Sequence, residues 1–361
     1  MSLNEITQPL IIWYEKEKRI LPWRTSRNPY YIWISEIMLQ QTRVEAVKPY
    51  FERFISALPD IRDVAEASEE ELLKLWEGLG YYSRVRNIQK AAKIVVEQYD
   101  GCLPADYDKL KGLPGIGNYT AGAVVSIAYG IPAPAVDGNV LRVISRIDER
   151  WDDIMKQSTR RQVEEDIMAI MPKQEPGQFN QALMELGATV CLPNGTPLCE
   201  KCPVGHLCRA RKLGKIGELP VKAPKKPRRI EDRTVLVIQD GDRVAIHKRP
   251  KKGLLAGLYE FPNLEGHLSE EEVLNYVEEH QMVSLRIQPL EESKHVFSHI
   301  EWRMKGYEVR VAELDEKKQG NLLFVNQKET EEKYAIPAAF QVYTSYMNIR
   351  LGQKKYKEES K

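Results

Sequence analysis

Two carboxylates and four thiols are the residues of this 361-residue chain whose spacing suggests chemistry. Cys191, Cys199, Cys202 and Cys208 follow the pattern C-x7-C-x2-C-x5-C. In a reducing compartment such clustering points to metal ligation over disulfides. Four thiolates suit either zinc or a [4Fe–4S] cluster, and spacing alone leaves both open. Glu36 lies mid-way along a predicted helix that Asn28 caps and Pro29 starts. Its neighbours three and four residues away are Ile32, Trp33, Leu39 and Gln40, a largely apolar face that should raise its pKa and keep the acid protonated. Asp137, in PAVDGNVLRV, reads as the N-cap of the following helix, a position that favours the ionised form. Each carboxylate also has an ordinary structural use. Together, one acid and one anion form the pair expected for cleaving a glycosidic bond.

The elements that must position these groups are mostly helical from residue 1 to about 210. Segments such as EELLKLWEGL and RVRNIQKAAKIVVEQY space Leu, Ile and Val three or four apart, with Pro-containing breaks between helices. In LPGIGNYTAGA, Leu113, Gly115 and Gly117 predict a tight hairpin between two helices, which turns unpaired backbone N–H groups toward a phosphate. From Lys201 to Arg229 ten Lys or Arg residues face a single acid, Glu218, although the whole chain carries a net charge of only +1. The Pro-rich run ELPVKAPKKPRRI within it reads as a linker. Beyond it, TVLVIQDGDRVAIHKRP predicts a hairpin turning at Asp240-Gly241, SEEEVLNYVEEHQ a helix with a Ser269/Glu272 capping box, and EWRMKGYEVRVAEL a strand.

The expected architecture is therefore multidomain, α and α/β: a helical domain over 1–216, a basic linker over 217–230 and a mixed module over 231–361. The N-terminus does not read as a signal peptide and no apolar run is long enough for a membrane span, so the expected location is cytoplasmic, with nucleoid association through DNA. Cys102, standing alone, is expected to be a small buried apolar residue.

Three strings carry a family resemblance: SEIMLQQTR around Glu36, LPGIGNYTAGA, and the cysteine set. They resemble the helix-hairpin-helix, iron–sulfur adenine DNA glycosylases of the MutY family, along almost the whole chain. The resemblance implies a helix-hairpin-helix over about 108–126 and an iron–sulfur module over about 186–212 holding one [4Fe–4S] cluster. The first cysteine gap has seven residues where the superfamily usually has six. It further implies that Glu36 protonates N7 of a flipped adenine, that Asp137 stabilises the oxocarbenium ion or bonds to C1′, and that Tyr119 and Asn139 support them. Relatives that nick DNA through a Schiff base carry lysine where Tyr119 stands, and Lys111 lies upstream of the hairpin, so a monofunctional enzyme is expected. Gln41 and Tyr81 take the positions of wedges that aid base extrusion. Trp23, Arg24 and Gln181 take positions in the adenine pocket.

In the second module, KRPKKGLLAGLYEFP looks Nudix-like, but SEEEVLNYVEEHQ lacks the Arg-Glu pair and glycine of a hydrolase. The module therefore resembles the domain with which MutY proteins recognise 8-oxoguanine, with Phe297, Ser298 and His299 as its reading loop. The expected partner is duplex DNA holding A:8-oxoG or A:G mismatches, bound by a monomer. The competing readings are an endonuclease III-like lyase, a non-catalytic lesion binder and a Nudix pyrophosphohydrolase with a helical appendage.

Overall fold

The helix that carries Glu36 starts as its sequence dictates: the Asn28 side chain accepts from the Tyr30 backbone N–H at 2.9 Å, and Pro29 occupies the first turn. The computed structural model describes residues 3–224, 227–314 and 318–352. Its helices in the N-terminal half are α1 (Thr7–Glu17), α2 (Pro29–Leu39), α3 (Val44–Ala57), α4 (Ile61–Glu66), α5 (Glu69–Leu75), α6 (Ser83–Tyr99), α7 (Tyr107–Lys111), α8 (Asn118–Tyr129), α9 (Gly138–Ile147), α10 (Gln157–Ala169), α11 (Pro176–Thr189) and α12 (Arg209–Lys212). The C-terminal half holds β1 (Arg229–Asp240), β2 (Arg243–Lys248), β3 (Tyr259–Glu260), β4 (Asn263–Glu265), α13 (Glu270–Glu279), β5 (Ser284–Val296), β6 (Ile300–Val311), β7 (Lys318–Gln319), β8 (Leu322–Val325), α14 (Gln327–Lys333) and α15 (Gln341–Thr344).

Two compact units result: Met1–Glu66 with Asn87–Lys225, and Ala67–Arg86 with Lys226–Lys361. Sequence periodicity assigns Ala67–Arg86 to the helical domain, yet in space this segment belongs to the second unit. In the first unit α2, almost wholly buried, packs on α3 and α8, and α11 packs on α1, α8 and α9. Close approach depends on small residues. A Cβ added at Gly122 of α8 would stand 2.0 Å from the Pro134 carbonyl oxygen, and one at Gly187 of α11 would stand 2.6 Å from Cβ of Asn139. The start of the expected linker is not free chain: Leu219 is buried with Ala210, and its carbonyl accepts from Arg146 Nε at 2.9 Å. Lys225 and Lys226, in the middle of that linker, lie outside the described residues.

The second unit is built on a mixed sheet of order β5-β6-β1-β2-β8-β7, with β3 added to β2 and β4 to β1. β1 and β6 run parallel, from Arg229 beside Ile300 to Gln239 beside Arg310. Val235 and Val237 face one core with Phe261, Phe340 and Tyr343, while Leu236 and Ile238 face another with Val273 and Val277 of α13. Burial on both faces explains the continuous apolar run VLVI in β1. The β1–β2 hairpin turns at Gly241 and Asp242, since Asp240 pairs with Arg243, one residue later than the spacing suggests. The Ser269/Glu272 capping box forms as expected. Among the described residues, no helix is long and apolar enough to cross a membrane. Cys102 departs from expectation: it lies exposed in the turn after α6, where the neighbouring Leu103 takes the buried position.

Candidate active site

Glu36 and Asp137 line one cavity of about 870 Å3 in the first unit, together with Trp23, Arg24, Gln41, Tyr119, Asn139 and Gln181. Glu36 is only 7% exposed. Burial raises its pKa to about 7; the Tyr119 hydroxyl, which donates to Oε2, opposes the shift, Asp137 adds to it and Arg24 opposes it. The same hydroxyl lies 3.3 Å from Met184 Sδ, and burial drives the phenol well above its usual range, so it remains a donor. Asp137 caps α9, accepting from the Val140 N–H at 2.8 Å, and its other oxygen accepts from Asn139 Nδ2 at 2.8 Å. Asn139 in turn accepts from Arg142 Nη2 at 2.9 Å, which orients the amide. Contrary to the simple capping expectation, the Asp137 pKa is raised: burial outweighs the Val140 and Asn139 donors that favour the anion.

The pocket residues suggested by the sequence occupy the same cavity. Trp23 is buried edge-on to Phe51, with ring centroids 5.4 Å apart. Gln181 Oε1 accepts from the Tyr14 hydroxyl at 3.0 Å, and Arg24 bonds Glu185 at 2.9 Å. Tyr14, Met184 and Glu185 also line the cavity and were not singled out from sequence. Glu185 carried one usable signal, its place one helical turn after Gln181 on α11.

The hairpin has the expected form. Asp106 caps α7 through the Lys109 N–H at 2.9 Å, Leu113 is buried, and Gly115 turns the chain with φ +78°. A Cβ at Gly115 would meet Asn87 Cβ at 2.7 Å, so only glycine fits both the dihedral and the space. Gly117 then precedes α8 without a side-chain cap, which leaves the first N–H groups of that helix for an anion.

Both residues suggested as wedges have left-handed backbones, Gln41 with φ +59° and Tyr81 with φ +48°. For non-glycine residues this conformation costs on the order of 1 kcal/mol or more and often marks functional sites. Gln41 is exposed on the cavity lining. Tyr81 belongs to the second unit, where its hydroxyl shares a 3.1 Å hydrogen bond with Ser298 Oγ. Phe297, Ser298 and His299 form the tip between β5 and β6. Phe297 anchors the tip edge-on to Trp302 at 5.0 Å, while Ser298 and His299 are exposed.

Cys191, Cys199, Cys202 and Cys208 line one further cavity, with Val143, Ile147 and Leu186 as its apolar wall. None is in a disulfide. Burial, then the neighbouring cysteines, push the Cys202 thiol up to about 12, and Arg146 Nη1 lies 3.3 Å from Cys191 Sγ. Four soft donors in an apolar pocket with a guanidinium at hand fit a thiolate-ligated group. Among the described residues, no group of three or more His, Cys, Asp or Glu side chains is already arranged to hold a metal ion.

A helical domain with this hairpin and this carboxylate pair, in one chain with a mixed-sheet module, defines a helix-hairpin-helix DNA glycosylase with a Nudix-like second domain. Residues 34–173 match the HhH-GPD superfamily of base excision DNA repair proteins, and residues 234–345 match the NUDIX domain. The chain is 37% identical over 356 residues to the adenine DNA glycosylase of Mus musculus, covering 82% of this chain and 69% of that protein. Identity to the adenine DNA glycosylase of Homo sapiens is 36% over 359 residues, covering 82% and 65% of the two chains. Among solved structures, a non-covalent endonuclease III–DNA complex is similar at a TM-score of 0.51 and 32% identity, covering 59% of this chain and 99% of that one. The chain belongs to the adenine DNA glycosylase family of base excision repair.

Proposed function

We propose that this enzyme hydrolyses the N-glycosidic bond of adenine mispaired with 8-oxoguanine or guanine and leaves an abasic site without nicking the strand. The observation that carries this reading is the pairing of a buried Glu36, protonated up to about pH 7, with Asp137 across one cavity. Glu36 gives its proton to N7 of the extruded adenine, and the Tyr119 hydroxyl holds the carboxylate that remains. Loss of the base leaves positive charge on the sugar, which Asp137 stabilises or captures at C1′ before water completes hydrolysis. As the sugar becomes cationic, the Asp137 anion gains an opposite charge that favours ionisation against burial. Asn139 and the Val140 N–H keep its two oxygens in place.

Trp23, Arg24 and Gln181 hold the adenine by stacking and hydrogen bonding. Gly115, Gly117 and the N-terminus of α8 take a backbone phosphate. Gln41 in the first unit and Tyr81 in the second act as wedges that aid extrusion, and Ser298, next to the half-buried Phe297, reads the opposite base. The four cysteines, which line one apolar cavity, would hold one [4Fe–4S] cluster. Iron and sulfide content of the purified protein tests that assignment, and zinc alone would overturn it.

Tyr119 replaces the lysine of the nicking relatives. Lys18 also lines the cavity, its ammonium over the Tyr14 ring at 5.5 Å. The deciding experiment incubates the protein with duplexes bearing A:8-oxoG, A:G or thymine glycol. Adenine release with strand cleavage only after added alkali is expected; nicking without alkali that disappears in Lys18→Ala would overturn the monofunctional reading.

A further inference from the structure

Glu185 is the most enclosed charged group of the cavity wall, 1% exposed. It projects from α11 into the irregular segment that follows α1, where a single short turn, Pro22–Arg24, is the only regular element. Its Oε1 accepts from the Arg19 backbone N–H at 3.1 Å and from Arg19 Nε at 2.7 Å. Its Oε2 accepts from Arg19 Nη2 at 2.9 Å and from Arg24 Nη2 at 2.9 Å. A carboxylate offers about four lone-pair sites, and all are engaged. Arg24 Nη1 closes the knot on the Arg19 carbonyl at 3.2 Å.

Both arginines line the cavity, Arg19 outside any helix and Arg24 at the end of the short Pro22–Arg24 turn, so neither is held in direction by a long helix. Removing the carboxylate would free two long side chains and leave two cations with one fewer counter-charge in a poorly solvated wall. Glu36 lies in the same cavity. The ionisable groups that face it are Tyr119 from α8, Asp137 at the head of α9 and Arg24 from the Pro22–Arg24 turn.

We propose that Glu185 is a positioning residue of the base pocket, locking Arg19 and Arg24 at its wall and balancing their charge beside Glu36. The proposal rests on the adenine-excision reading above. Two arginines and one carboxylate leave a single net positive charge, enough to attract an electron-rich base edge. With the carboxylate gone, Arg24, which already opposes the rise of the Glu36 pKa, would be uncompensated and draw the proton from Glu36 more strongly. Glu185 itself stays ionised throughout the working range: burial opposes ionisation, but Arg19 and Arg24 hold its pKa down to about 2.

The test is the pH dependence of single-turnover adenine release from an A:8-oxoG duplex by the parent chain, Glu185→Gln and Glu185→Asp. The glutamine variant should move the alkaline limb down by about one pH unit and weaken substrate binding. The aspartate variant, which keeps the charge but not the reach, should keep the limb and lose binding only. A limb unchanged in Glu185→Gln, or moved equally in both variants, overturns the proposal. Should Glu185→Gln not fold, Arg24→Gln serves, because removing one cation with Glu185 intact should move the limb upward; an unmoved limb again overturns it. A parent chain that releases no adenine fails the underlying reading instead, and the proposal falls with it.

Discussion

Glu36 retains its proton to about neutral pH because the wall around it excludes water, and this couples stability to catalysis. Its folded-state pKa of about 7 lies above the ordinary value of 4.5, so the folded chain holds this proton more tightly than the unfolded one. The resulting stability is complete below pH 4.5 and is lost as pH rises through about 7, with about 3 kcal/mol as the upper scale. Glu36→Gln removes that dependence. At pH 8 the variant should melt higher than the parent while losing about a hundred- to ten-thousand-fold in adenine release. A lower melting temperature together with full activity would defeat the assignment of the acid. The parent rate should itself decline as pH rises through about 7, because only the protonated acid can donate.

At the scale of elements, the site depends on how closely α8, α9 and α11 approach. Gly187 sets α11 against Asn139, where an added Cβ would stand 2.6 Å from the asparagine Cβ. Gly187→Ala should cost about 1–3 kcal/mol by overpacking, and it should reduce excision by displacing the amide that holds Asp137. Thermal denaturation and single-turnover rates would show both effects. The same change at Gly217, with nothing within 4 Å of the added atom, should stay within about 0.5 kcal/mol. Periodicity revealed α8, α9 and α11 as helices, and LPGIG revealed the hairpin. Gly187 gave no sign of its role, because that role exists only once α9 lies across it.

At the scale of the whole molecule, Ala67–Arg86 is held by residues far along the chain. The Glu77 carboxylate accepts from the backbone N–H groups of Ile336 at 2.9 Å and Gly352 at 3.1 Å, and Lys74 donates to the carbonyls of Thr330 at 3.1 Å and Tyr334 at 3.0 Å. Lys248 also pairs with Glu70, at 2.6 Å. A chain ending at Lys225 therefore leaves Lys74 and Glu77 without these partners. In that fragment, residues 67–86 should become sensitive to protease while the parent resists. Equal resistance would show that the segment is ordered without the C-terminal unit. Because Tyr81 lies on this segment and bonds Ser298, a residue suggested as a wedge and one suggested as a reader share one folded body.

Residue types and near spacing were enough to indicate Glu36 on an apolar helix face, Asp137 as a cap, the glycine hairpin, the clustered thiols and the change from helical to sheet periodicity near Arg229. These features depend on neighbours within a few residues, so local physics determines them. The Glu185 knot, the displacement of Asp137 toward the protonated form, the exposure of Cys102 and the attachment of Ala67–Arg86 to the second unit were decided only in three dimensions. Each depends on which distant groups share a buried volume: burial outweighs the cap at Asp137, and four donors from residues more than 160 positions away fill the Glu185 carboxylate. Local sequence does not encode a desolvation penalty whose walls come from elsewhere in the chain.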